Sequence, residues 1–113
     1  MKLEEVYQIL KKIGLPVTYY QWQEGDPNNP VPELPYIVYY YPSSSDEKAD
    51  SVNYVRINGL NIELYTKQKD FALEERVERI LTEHGFFFYK QETYLNDDHM
   101  FEVLYETEVV ING

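Results

Sequence analysis

The sequence contains no cysteine in 113 residues, which excludes disulfides, thiolate metal sites and a cysteine nucleophile. It has only two histidines, His84 and His99, so bases that titrate near neutral pH are scarce. No apolar run approaches the ~18 residues that a membrane-spanning helix requires. The first ten residues, MKLEEVYQIL, carry acids where a secretory leader carries bases. The acidic N-terminus and the lack of an apolar span lead to the expectation of a cytosolic product without a membrane anchor, while the lack of cysteine does not fix the compartment. No P-loop, GxGxxG, HExxH or GxSxG string is present. Positive charge is also in short supply, with 10 Lys and Arg against 20 Asp and Glu and a net charge of −10. That balance opposes binding to a phosphate backbone, so specific nucleic-acid binding is not expected.

Tyrosine is abundant, with twelve in the chain. Its apolar ring and polar tip suit half-buried sheet faces and interfaces. The length matches one domain, and 43% hydrophobic residues can supply one core. The reading is therefore a single domain over residues 1–113.

Leu3, Val6, Tyr7, Leu10 and Ile13 recur at helical spacing, with acids early and Lys11 and Lys12 late, as the helix dipole favours. Gly14 serves as a left-handed cap and Pro16 prevents resumption. Residues 17–22 are mostly β-branched or aromatic. Pro27, Pro30, Pro32 and Pro35 then mark 24–35 as loop. Tyr36–Tyr41 is apolar on both parities, which fits a central strand covered on both faces, and Pro42 closes it.

The stretch 43–51, SSSDEKADS, has no periodicity and is expected to be a mobile excursion, disordered until it meets a partner. Beyond it, Val55 and Ile57 share one parity and Leu60, Ile62 and Leu64 the other, with Asn58-Gly59 at the switch. Either a tight hairpin or one long strand with a glycine bulge explains this. The long strand is preferred, because residues 54–66 can then pair along Tyr36–Tyr41.

Asp70 is placed as the cap of a second helix whose buried stripe is Leu73, Val77, Ile80 and Leu81, ending at Gly85. Glu74, Glu75, Arg76, Glu78 and Arg79 read as its solvated face. Strands at 86–94 and 99–110, joined by a turn at 95–98, complete an α+β chain. Its expected order is an N-terminal helix, a mostly antiparallel sheet of about four strands, and a second helix before a C-terminal β-hairpin. The expected main core is Leu10, Ile37, Val38, Leu64, Val77, Ile80, Leu81, Val103 and Tyr105.

Chemistry has few footholds. His84 falls in the last turn of the second helix, where an imidazole complements the dipole. Asp97-Asp98-His99 has metal-ligand residue types, but three consecutive turn positions do not converge on one ion. No catalytic residue, cofactor or metal is assigned. A hydrolase built on the carboxylates and His99 is the weakest alternative.

One pattern goes beyond turn and core chemistry. No Lys or Arg follows Lys90, and Glu102, Glu106 and Glu108 share a parity opposite to that of Phe101, Val103, Tyr105 and Val109. The hairpin should therefore present a one-sided acidic face, toward solvent, a channel or a basic partner. Partner contacts are assigned to this face through Glu102, Glu106 and Glu108, and to the 43–51 excursion through Ser44, Asp46, Glu47 and Asp50.

The strings LPVTYYQW, LPYIVYYYP, NYVRI, IELYTKQKD and MFEVLYE, in this order along nearly the whole chain, carry a resemblance. The sequence resembles the small tail-completion or tail-terminator-like proteins of prophages and long-tailed phages of Gram-positive bacteria. The resemblance implies a non-enzymatic protein that caps the head-proximal end of the tail tube, usually as a hexameric ring. Its partners would be the tail tube protein and a head connector or completion protein. It would be located in the host cytoplasm during assembly and in the virion afterwards. The alternative from another class is an acidic DNA mimic that inhibits a host nuclease or restriction factor, motivated by the net charge.

Overall fold

The computed structural model describes residues 1–22, 27, 28, 30–49 and 53–112, with the backbone alone at 44–49 and 53–55. Along the chain lie α1 (Leu3–Lys11), β1 (Val17–Tyr19), β2 (Tyr36–Tyr40), β3 (Ser44–Ala49), β4 (Asn53–Thr66), α2 (Phe71–Glu83), β5 (Tyr89–Leu95) and β6 (Met100–Ile111). The fold is α+β, with a sheet of six strands where about four were expected. Strand order is β1-β2-β4-β6-β5, with β3 paired to β4. Only the β1–β2 pair is parallel, so the sheet is mostly antiparallel.

The helix boundaries follow local chemistry. Gly14 and Gly85 adopt φ of 89° and 82°, the left-handed geometry that ends each helix cheaply when the residue lacks a Cβ. The Asp70 carboxylate accepts the Leu73 amide at 3.0 Å, which satisfies one donor that α2 cannot pair internally. In α1 the buried residues are Val6, Ile9 and Leu10. Ile9 takes a buried place that the expected stripe gave to Leu3, which is 52% exposed in the first turn.

Both helices cover one face of the sheet. Val6, Leu10, Ile13, Ile37, Leu60, Ile62, Leu64, Val77, Leu81, Val103 and Tyr105 form one buried cluster between the layers. Each such side chain contributes ~1.5–3 kcal/mol by leaving water. Ile80 packs against this cluster while partly exposed. Val38 is also buried, although it lies on the opposite face, which neither helix covers.

β4 is one continuous strand, as preferred from the sequence, but the bulge does not lie in it. Its pairing with β6 runs without interruption from Arg56↔Ile111 to Thr66↔Phe101. Along its other edge, β2 pairs with Asn61–Tyr65 and β3 pairs with Asn53–Asn58. Between these ladders, residues 41–43 face Gly59 and Leu60, and the Gly59 amide donates to the Ser43 carbonyl at 2.8 Å. The extra residue therefore sits beside Pro42, which has no N–H to lose from the ladder. The parity switch of the sequence becomes a change of face. Asn58, Leu60, Ile62, Leu64 and Thr66 point to the core, while Ile57 points away.

Two expectations are corrected here. Residues 44–49 are not an unstructured excursion but strand β3, held by a six-residue register on β4. An edge strand can form on backbone hydrogen bonds alone, without an apolar stripe to announce it. The second correction is Glu74, expected on a solvated face but only 2% exposed. Its carboxylate is clamped by Lys69 at 2.7 Å and Lys90 at 2.8 Å. Lys90 also pairs with Glu78 at 2.9 Å, Lys69 with Glu92, and the Tyr105 hydroxyl donates to Glu78 at 2.8 Å. This network joins α2 to the loop before it and to the β5–β6 hairpin.

Candidate functional site

The helices leave the other face of the sheet open. Alternation along each strand, carried across by the pairing register, places Tyr36 and Tyr40 of β2, Asn61, Glu63 and Tyr65 of β4, Glu102, Leu104, Glu106 and Glu108 of β6, and Tyr89, Gln91 and Thr93 of β5 on it. Among the described side chains of this face there is no Lys or Arg. The three β6 glutamates thus share one face, as their parity indicated. Glu63 joins them and was missed, although its parity opposite to Leu60, Ile62 and Leu64 could have placed it.

At the centre of the face the Tyr65 hydroxyl donates to the Glu63 carboxylate. Burial and the nearby Glu63 charge raise the Glu102 carboxyl above its ordinary value, and the Tyr65 hydroxyl partly offsets them. Burial, the hydrogen bond to Glu63 and the two carboxylate charges push the Tyr65 phenol far above its own. It stays protonated and cannot act as a base. Gln91 Nε2 donates to Glu106 at 2.8 Å, while Glu108 is open to solvent.

Toward the end of β6 the face deepens into a groove of about 690 Å³, lined by Pro42, Ser43, Ile57, Gly59, Glu106, Glu108 and Val110, with Phe87 and Tyr89 at its rim. Phe87 and Tyr89 are 91% and 82% exposed. Phe87 is not loose. Phe86 is buried, Phe88 packs edge-on against Tyr105 at 5.2 Å, and the Thr107 hydroxyl donates to the Phe87 carbonyl.

The remaining sequence-assigned residues lie elsewhere. Ser44, Asp46 and Glu47 fall in β3, whose backbone is described, and Asp50 lies outside the described residues. Asp97, Asp98 and His99 occupy the exposed β5–β6 turn, His99 with φ of 51°. His84 caps α2, its Nδ1 2.9 Å from the Ile80 carbonyl and its Nε2 3.1 Å from Lys12 Nζ. No hydrogen bond or ion pair among the described residues joins His84, Asp97, Asp98 or His99 to the glutamates of the open face. That face offers carboxylates and aromatic surface, which can repel a polyanion or receive a cationic or apolar partner.

No family model matches the chain, and no curated protein does. Among solved structures, it is similar in fold to a chain of the virion of the native gene transfer agent (GTA) particle, with a TM-score of 0.64 and 15% identity. The match covers 99% of this chain and 96% of that one. At this identity the likeness shows the fold.

Proposed function

We propose that the chain is a non-enzymatic structural protein of a phage-like particle, acting at the end of the tail tube as a cap, as a joint to the head, or as both. The observation that carries this reading is the end-to-end likeness in fold to a chain of a gene transfer agent virion, with neither protein leaving a large part unmatched. The order of sequence strings resembling tail-completion proteins points the same way.

In this reading the copies form a ring, hexameric as the resemblance implies, that meets the tail tube protein on one side and a head connector or completion protein on the other. The open sheet face, with Glu63, Glu102, Glu106 and Glu108 and no described cation, suits a surface past which DNA moves, because like charge prevents sticking. Contact with a neighbouring subunit is assigned to β3 through Ser44, Asp46 and Glu47, and to Asp50, which lies outside the described residues. The protein works in the host cytoplasm during assembly and in the virion afterwards. The test is electron microscopy of tail tubes from the same genome with and without the purified protein. Density at one tube end only when the protein is added is the expected result. Bare ends at saturating protein would refute the capping role.

A further inference from the structure

Three strands, β1, β3 and β5, have an edge that pairs with no other strand among the described residues. They are not equally open to another chain. β1 has three residues and runs into Tyr20, whose φ of 72° takes the backbone out of extended geometry. β3 carries Asp46, Glu47 and Lys48 within six residues, and charge on an edge discourages pairing. β5 has neither protection. Its register on β6 is unbroken from Tyr89↔Glu106 to Leu95↔Met100, and it contains no proline. Its charged residues, Lys90 and Glu92, are tied to Glu74, Glu78 and Lys69 on the helix side, which leaves uncharged Tyr89, Gln91 and Thr93 on the open face.

Beside this edge, aromatic rings and carboxylates recur two residues apart. Tyr89 stands opposite Glu106 in the ladder. Phe87, two residues before Tyr89, lines the same groove as Glu108, two residues after Glu106. A spacing of two is the repeat of an extended chain. An aromatic face and a carboxylate together receive a cation, and the groove lining contains no Lys, Arg or His to satisfy them from within. A side chain on a strand added outside β5 must span two strand spacings of about 4.8 Å each to reach β6. Lys and Arg have both the length and the charge to do so.

We propose that the β5 edge receives an extended cationic segment of another protein as a further strand of the sheet, with basic side chains at alternate positions over Phe87 and Tyr89, directed toward Glu108 and Glu106. Main-chain hydrogen bonds along β5 supply affinity in this mode, and the ring and carboxylate pairs supply selectivity. A second copy of this chain does not fit the requirement. Lys67 and Lys69 are its only two bases at that spacing, and Lys69 is held by Glu74 and Glu92. None of this depends on the particle reading.

The probe is a labelled peptide of about ten residues alternating Arg and Val, long enough to cover a strand. Its binding to the purified chain is measured by fluorescence anisotropy at physiological salt. A version N-methylated at every residue keeps the charge but cannot donate to a sheet edge, and it should bind at least about ten-fold more weakly. Glu106→Gln with Glu108→Gln should weaken binding of the plain peptide about ten-fold, and Phe87→Ala with Tyr89→Ala about five-fold. Glu75→Gln with Glu83→Gln removes the same charge from the exposed side of α2 and should change binding less than about two-fold. Melts of all variants are compared with the unmodified protein, and the methylated peptide tests the edge without any substitution.

Four results would overturn the inference: no binding of the plain peptide at about 1 mM, equal binding of the methylated peptide, equal effects of the two glutamine pairs, or a dimer of the chain that the peptide dissociates, which would make a second copy the occupant. Because the isolated chain is assayed, binding stands or falls apart from any effect of the gene on particle formation.

Discussion

Glu74 provides the sharpest test of how the two layers are locked. Its carboxylate is 2% exposed and receives Lys69 and Lys90 at 2.7 to 2.9 Å. Alanine removes these charge-assisted contacts and leaves a small void. Losing one partner of a buried ion pair costs about 3–5 kcal/mol when the other is stranded. Here neither lysine is stranded, because Lys69 keeps Glu92, Lys90 keeps Glu78, and both are partly exposed. The expected loss is therefore smaller, about 2 kcal/mol, near that of a charged hydrogen bond. In urea it should lower the unfolding midpoint by about 1 M at a slope of roughly 2 kcal/mol/M. Glu74→Leu refills the volume and should cost less than half as much.

The pH dependence has a definite sign. Burial pushes the Glu74 carboxyl up, but hydrogen bonds and charge from Lys69 and Lys90 outweigh it and hold the group below its ordinary value. A depressed carboxyl stabilises the fold above the ordinary carboxylate range, and that share is lost as pH falls through its folded value. The gap between the unmodified protein and Glu74→Gln should thus narrow on acidification. An alanine midpoint within about 0.2 M of the unmodified protein, or leucine as costly as alanine, would refute the reasoning.

Leu81→Ala, at a fully buried position between α2 and the sheet, should lose ~2–5 kcal/mol in the same urea assay; an unchanged midpoint would contradict the packing of α2. Asp70→Ala removes the cap of α2 and should cost about 1 kcal/mol, with Asp70→Asn recovering most of it. Glu102 behaves oppositely to Glu74. Burial and Glu63 raise its carboxyl, so its contribution is favourable below the ordinary carboxylate range and is lost as pH rises through the folded value. Glu102→Gln should therefore stabilise the protein at pH 7 by about 0.5 kcal/mol, the scale of a cross-strand like-charge contact, and show no gain in acid. A loss at pH 7 would show that the carboxylate has a favourable partner.

The sequence was most legible where local chemistry decides the structure. Asp70, Gly14 and Gly85 mark helix boundaries by capping geometry, and each stands where its type indicated. The β6 glutamates were legible for a similar reason, since alternation on a half-buried strand leaves one choice of face. Glu74 was misread because its charge was weighed above its spacing. Glu74, Val77 and Leu81 stand three and four apart, on the phase that faces the sheet. What was missing from the sequence was Lys69 and Lys90 arriving from separate elements to neutralise it. β3 left no trace in SSSDEKA, because its pairing is with the β4 backbone. The bulge was legible in existence but not in position, since Gly59 permits one and Pro42, on the facing segment, takes it. The exposure of Phe87 was not legible either, because FFF reads as core until Phe86 and Phe88 are seen to take the inward positions.

The central claim, a structural role in a phage-like particle, is tested most directly by removing the gene from its genome, inducing particle production, and counting complete particles by electron microscopy, with the gene restored in trans as the control. The account predicts that heads and tails accumulate separately or that tails have abnormal ends, that restoration returns complete particles, and that the chain is found in those particles by mass spectrometry. Complete particles in normal number without the gene would contradict it.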